Sequence, residues 1–151
     1  MSTLRSVSDA DVSGKKVLVR ADHNIDINEN GELKSDKKIR ATLATIELLL
    51  SKNARVIIMT HVGRPKGKVD PRYSTKKVAA ALQALLPKTT VTHITSTVGP
   101  EAEKAVEALQ PGHILYLENV RFLPHEEGDS AAQAEMGAQL AKLADVFVNE
   151  A

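Results

Sequence analysis

The chain has 151 residues, 42% of them hydrophobic, which is enough for one substantial core and too few for two full-size domains. Lys and Arg total 20 against 19 Asp and Glu, so a net charge of +1 provides no broad field for nucleic acid or an anionic membrane, and any taste for anions must be local. The absence of cysteine excludes disulfides and thiolate metal sites and fits a reducing compartment, the cytoplasm. Met1 to Lys16 carries no apolar signal region, and no later run approaches the roughly 18 apolar residues of a spanning helix.

In chain order, Lys16 to Arg20 is a short β-branched run after Gly14 and predicts a buried strand. Ile25 to Ile27 and Glu32-Leu33 flank Asn30-Gly31, a dipeptide suited to positive φ, and predict a small hairpin. Ile39, Leu43, Ile46 and Leu50 make one apolar stripe on a helix capped by Ser35 or Asp36. Arg55 to Thr60 predicts a second strand, broken by the Gly/Pro/Lys-rich segment from His61 to Lys68. Ser74 opens a helix with Val78, Leu82 and Leu85 inward, and Val91 to Ile94 is a third strand. Gly99-Pro100-Glu101 starts a helix with proline in the first turn and Val106 and Leu109 toward the core. Ile114 to Leu117 predicts a fourth strand; Met136, Leu140 and Leu143 mark a helix; Val146 to Val148 is a last strand.

Strands alternating with helices of this length must run parallel, joined by right-handed crossovers with helices on both faces. The expected fold is α/β, an open parallel sheet in a Rossmann-like three-layer α/β/α sandwich, forming one domain over 1–151. In such sheets ligands bind beyond the carboxyl ends of the strands. That rule selects Asp22 and Asn24 after the first strand, His61 and Arg64 after the second, and Asn119 and Arg121 after the fourth. Arginine's planar fork suits phosphate and carboxylate oxygens, so this rim fits a small phosphorylated acid; the opposing view is that loop arginines merely solvate the surface.

The residue strings decide further. Val17-Leu18-Val19-Arg20-Ala21-Asp22-His23-Asn24 resembles the signature of the phosphoglycerate kinase family, V-L-V-R-x-D-x-N. His61-Val62-Gly63-Arg64-Pro65-Lys66-Gly67, Tyr73-Ser74, Leu117 to Phe122 and Asp145 to Ala151 match further family blocks, in order, over nearly the whole chain. The resemblance implies the N-terminal domain of such a kinase, which holds 3-phosphoglycerate or 1,3-bisphosphoglycerate. It also implies a separate C-terminal domain, beyond this chain, that holds ATP or ADP with magnesium, and a monomeric full-length enzyme. It assigns Asp22 and Asn24 to the glycerate hydroxyl and carboxylate, Arg64 and Arg121 to the 3-phosphate, and His61 beside them. His23, Val62 and Gly63 would lend backbone groups in the same contact loops.

Departures carry their own expectations. The family places an arginine just before I-R-A to stabilise the transferring phosphoryl group, and Lys38 stands there as the catalytic and substrate-binding candidate. Lysine has the charge without the fork, which would slow transfer by roughly 10²–10³. Arg40, about 200° further round the helix, should face away. His23 stands where the family usually has phenylalanine, and Ile25 and Asp26 where it has a small residue and proline. A half-site without the nucleotide domain is expected to bind but not to turn over, because phosphoryl transfer depends on positioning both substrates. Sheet edges left uncovered in a fragment would invite self-association.

Asp26 to Gly31 also fits the first half of a calcium loop, but Lys37 occupies its twelfth position, and the hairpin is preferred. His23, His61, His93, His113 and His125 lack the close pairing of a zinc site. Neither G-x-x-x-x-G-K-[ST] nor G-x-G-x-x-G occurs. The competing readings are a non-catalytic anion-binding module or pseudoenzyme, and a scaffold that binds nothing.

Overall fold

The computed structural model describes residues 11–30, 32–63, 65, 68–123 and 130–150. The apolar runs Lys16–Ala21 (β1) and Arg55–Met59 (β2) become the central strands, since Val, Leu, Ile and Met at successive positions can be buried on both faces of a sheet. Val91–His93 (β3), Ile114–Tyr116 (β4) and Val146–Glu150 (β5) complete a 5-stranded sheet of order β3-β4-β2-β1-β5. Every pairing is parallel, and the register runs from Lys16 opposite Arg55 to Arg20 opposite Met59 in the central pair.

Helices Lys37–Ser51 (α1), Lys76–Leu85 (α2), Pro100–Ala108 (α3) and Ser130–Ala141 (α4) cover the sheet. Alternation of side chains along each strand divides the core in two. Val17, Val19, Val56, Ile58 and Tyr116 pack with Ile39, Ile46 and Leu49 of α1 and Val78 and Leu82 of α2. Leu18, Ile57, Met59, Leu115 and Leu117 pack with Ala102 and Val106 of α3, with Leu140 of α4 and with Leu143 in the turn after it. The three-layer α/β sandwich expected from the alternation is therefore the fold. Truncating a core residue such as Ile58 to alanine should cost roughly 2–5 kcal/mol.

Several local expectations shift. The buried face of α1 is Ile39, Thr42, Ile46 and Leu49, with Leu43 and Leu50 only partly buried at its margin. The inward face of α2 holds Ala79 beside Val78 and Leu82, while Leu85 is partly buried. That helix starts one residue later than Ser74 suggests, with Thr75 at its cap. At the start of α1 the Ser35 hydroxyl accepts from the Lys37 N–H (3.1 Å), while the Asp36 carboxylate takes Arg40 Nε at 2.9 Å. The hairpin is present as an antiparallel bridge between Ile27 and Leu33, although Gly31 at its tip lies outside the described residues. Asn28 Oδ1 accepts there from the N–H groups of Asn30 and Glu32, both at 2.9 Å.

Candidate functional site

The loops leaving the carboxyl ends of β1, β2 and β4 emerge together, and hydrogen bonds lace them into one rim. Lys38, in the first turn of α1, extends its ammonium over the loop after β1, donating to the Asn24 carbonyl (2.9 Å) and to Asp22 Oδ1 (3.3 Å). Asn24 Oδ1 accepts from the Gly63 N–H at 2.9 Å, joining the β1 loop to the β2 loop. Arg121 Nη1 donates to the Gly63 carbonyl at 3.3 Å, joining that loop to the turn after β4. Asp22, Asn24, Lys38, Gly63 and Arg121 are thus brought together; Arg64 lies outside the described residues.

Charge at the rim is balanced locally. Partial burial works against ionisation of Asp22, but the Asn24 N–H, the Lys38 ammonium and the field of His61 outweigh it and hold the carboxyl below its usual range. The Asp22–Lys38 pair is about half exposed, so it contributes little to stability and is free to exchange partners with an incoming anion.

Gly63 has φ of 61°, a left-handed conformation, and a Cβ built on it would lie 2.5 Å from the Tyr73 ring. Only glycine lets the loop pass under that ring while presenting both of its peptide groups to Asn24 and Arg121. Tyr73 belongs to the short 3₁₀ turn Pro71–Tyr73, and Arg72 lies over its ring at 5.3 Å. A groove of about 960 Å³ opens here, lined by Asn24 to Glu29 and Lys34, by Val62 and Gly63, and by Pro71 to Ser74 with Lys76 and Lys77.

Two residues of the contact loops turn their side chains inward. His23 is wholly buried, its ring turned into the core and its N–H donating to Thr60 Oγ1 at 3.0 Å. Val62 is buried too, and its carbonyl is taken by Asn119 Nδ2 at 2.7 Å. Both lie in the expected loops with their side chains inward, because a strand-end loop alternates between core and solvent as the strand does.

Asn119, which the strand-end rule placed among the ligand-facing residues, is instead buried, and with its neighbour Glu118 it supports the rim from below. Buried Glu118 accepts at Oε1 from the Thr75 and Asn119 N–H groups, both at 2.8 Å, and at Oε2 from the Ser74 hydroxyl at 2.7 Å. Its carboxylate thereby faces the positive end of α2. Asn119, fully buried, donates from Nδ2 to the carbonyls of Val62 and Tyr73 (2.7 and 2.8 Å) and accepts at Oδ1 from the Arg121 N–H (3.0 Å). Burial pushes the His93 imidazole, beside Glu118, toward its neutral form. The burial of Glu118 and Asn119, as distinct from their place in the loop, was signalled only by a polar pair directly after an apolar strand, which needs partners if it is buried.

The rim sets the side chains of Lys38 and Arg121 beside two polar loops that carry the Asp22 carboxylate and the Asn24 amide, groups whose chemistry suits a hydroxylated anion. Among the described residues, no helix is long and apolar enough to cross a membrane.

Comparison with known proteins concerns the chain as a whole. The family model described as phosphoglycerate kinase matches residues 7–151. A phosphoglycerate kinase of Chloroflexus aggregans is 49% identical over 148 residues, covering 97% of this chain and 36% of the relative. One from Desulforudis audaxviator is 48% identical over 147 residues with the same two coverages, 97% and 36%. The crystal structure of phosphoglycerate kinase from Pyrococcus horikoshii OT3 superposes with a TM-score of 0.84 at 31% identity, covering 95% of this chain and 35% of that one. The chain spans about a third of the length of the curated relatives it matches.

Proposed function

The chain belongs to the phosphoglycerate kinase family, and from that premise we propose that residues 1–151 are the 3-phosphoglycerate-binding domain of a cytoplasmic glycolytic kinase. The reaction is reversible phosphoryl transfer between 1,3-bisphosphoglycerate and ADP, giving 3-phosphoglycerate and ATP. The observation that carries this reading is the convergence of Lys38, Arg121, Asp22 and Asn24 on one rim through Gly63. Arg121 and Arg64 bind the 3-phosphate, His61 stands beside them, and Asp22 and Asn24 take the hydroxyl and carboxylate. Lys38 leaves Asp22 to meet the transferring phosphoryl group. The loop around His23, Val62 and Gly63 contributes through the backbone of Gly63, since His23 and Val62 are spent inside. ATP or ADP with magnesium is held by a second domain, so this chain alone binds without turnover, and the full-length enzyme is monomeric.

Calorimetric titration of 3-phosphoglycerate into the chain, beside a variant carrying Arg64→Ala and Arg121→Ala, tests the proposal. Saturable binding that disappears in the variant supports it, and no binding to the folded chain sinks it. The second reading, an anion-binding module without catalysis, is favoured by lysine at position 38 and by its engagement with Asp22. Joining the chain to the remaining two-thirds of a relative separates the two: turnover that rises with Lys38→Arg belongs to a kinase, and binding without turnover to a module.

A further inference from the structure

Each element that delivers a candidate contact to the rim is also tied, just below it, to one residue. The His23 N–H donates to Thr60 Oγ1 (3.0 Å), the last residue before His61, and that hydroxyl donates on to the Ala21 carbonyl (2.8 Å). The His23 ring meets Tyr116 Oη of β4 at Nδ1 (2.6 Å), and β4 runs on into the turn that carries Arg121. At Nε2 it meets Thr42 Oγ1 (2.8 Å), one helical turn beyond Lys38 on the same side of α1. Lys38 in turn reaches back to Asp22 and Asn24, the two residues that flank His23. The loop and the helix are therefore joined twice, once in the core and once at the surface.

The direction of this chain can be assigned. Thr42 spends its only hydroxyl proton on the Ile39 carbonyl at 2.8 Å, so toward His23 it can only accept, and Nε2 must carry a proton. Tyr116 is fully buried, and burial pushes its phenol pKa up, so its O–H remains a donor that needs an acceptor; Nδ1 supplies it. Both ends demand the same neutral tautomer: Tyr116 O–H to Nδ1, and Nε2–H to Thr42.

We propose that His23 is the positioning residue of the rim, its neutral imidazole fixing the placement of Lys38 on α1 relative to Asp22 and Asn24. The functional consequence rests on the 3-phosphoglycerate reading; the mechanical one does not. An apolar ring would fill the same volume without direction, whereas this ring sets the distance and rotation of three elements by hydrogen bonds. Protonation would turn Nδ1 into a second donor facing the Tyr116 O–H and release the relay. Among the groups around the ring, Asp22 on its own loop favours the cation, while Thr42 of α1, Thr60 beyond β2 and the un-ionised Tyr116 of β4 offer it no charge, and the Lys38 ammonium is paired with Asp22. Burial prevails and keeps the imidazole neutral down to about pH 4.

The test is amide hydrogen exchange by NMR, with 3-phosphoglycerate titration alongside, on the whole chain and its Tyr116→Phe, Thr42→Val, His23→Phe and combined His23→Phe/Tyr116→Phe variants. In Tyr116→Phe the amides of His23 and Gly63 should exchange about tenfold faster, the loss of one buried hydrogen bond. The Val106 amide across the sheet should keep its protection, and 3-phosphoglycerate affinity should fall by about the same factor. The double variant should be no looser than His23→Phe, and ring ¹⁵N shifts should show Nδ1 bare and Nε2 protonated. Wild-type affinity too weak to detect would defeat the functional reading alone, leaving the exchange pattern to decide the positioning role. Rim exchange at wild-type level in both Tyr116→Phe and Thr42→Val overturns the proposal, as does a loss spread equally to Val106.

Discussion

The rim over β1, β2 and β4 and the outer edge at β5 are parts of one sheet built on opposite principles. Beneath the rim, polar side chains are buried and each has a partner drawn from a distant part of the chain: His23 with Tyr116, Glu118 with Thr75, Asn119 with Val62. At the edge, β5 buries no side chain completely, and Phe147 leaves 58% of its surface exposed beside a groove lined by Leu18, Met59 and Leu140. A buried polar network costs stability if one member is lost, so it specifies geometry; an edge held by backbone pairing, light apolar contact and a half-buried Thr45–Glu150 hydrogen bond (2.8 Å) tolerates more change. Geometry is specified where the candidate ligand groups stand.

Substitutions should separate these regions by size of effect. The largest is expected for Asn119→Ala, which strands the carbonyls of Val62 and Tyr73 and the Arg121 N–H in the interior; urea unfolding should show a loss of about 4 kcal/mol. An acid titration comes next. The His23 pKa is lowered from 6.5 to about 4 in the folded chain, so between those values the unfolded chain binds more protons. Its contribution is complete above pH 6.5 and lost as pH falls toward 4, about 3 kcal/mol in all, and a His23→Phe variant should flatten that slope in urea midpoints. Gly63→Ala, forced into φ of 61° against the Tyr73 ring, should cost about 2 kcal/mol by the same assay. Phe147→Ser at the edge should move stability by no more than about 0.5 kcal/mol. A loss at Phe147 as large as that at Asn119 would erase the contrast.

The fold was legible wherever it rests on periodicity. Val17 to Val19 and Val56 to Ile58 announce two-sided burial, and Pro100 after Gly99 announces a helix start. The phase of α1 was not, for a reason visible in Thr42: an apolar count skips a threonine, yet this one is buried because His23 satisfies its hydroxyl. That partnership spans sequence distance no local pattern records. The same holds for Glu118, whose capping of α2 joins residues far apart in the chain. The rim itself was legible in Asp22, Asn24, Lys38, Gly63 and Arg121 through the strand-end rule and the family strings together. The inward turn of the His23 ring was not legible, because a histidine between two polar loop residues reads as polar and only the tertiary fold buries it.

The central claim, a 3-phosphoglycerate site on this rim, is met most directly by ¹H–¹⁵N chemical-shift mapping as 3-phosphoglycerate is added to the chain. Saturable shifts should appear at the amides of Asp22, Asn24, Gly63 and Arg121 while those of β3 and α3 stay in place. A folded chain whose rim amides do not move, or whose shifts gather instead along the β5 groove, would contradict it.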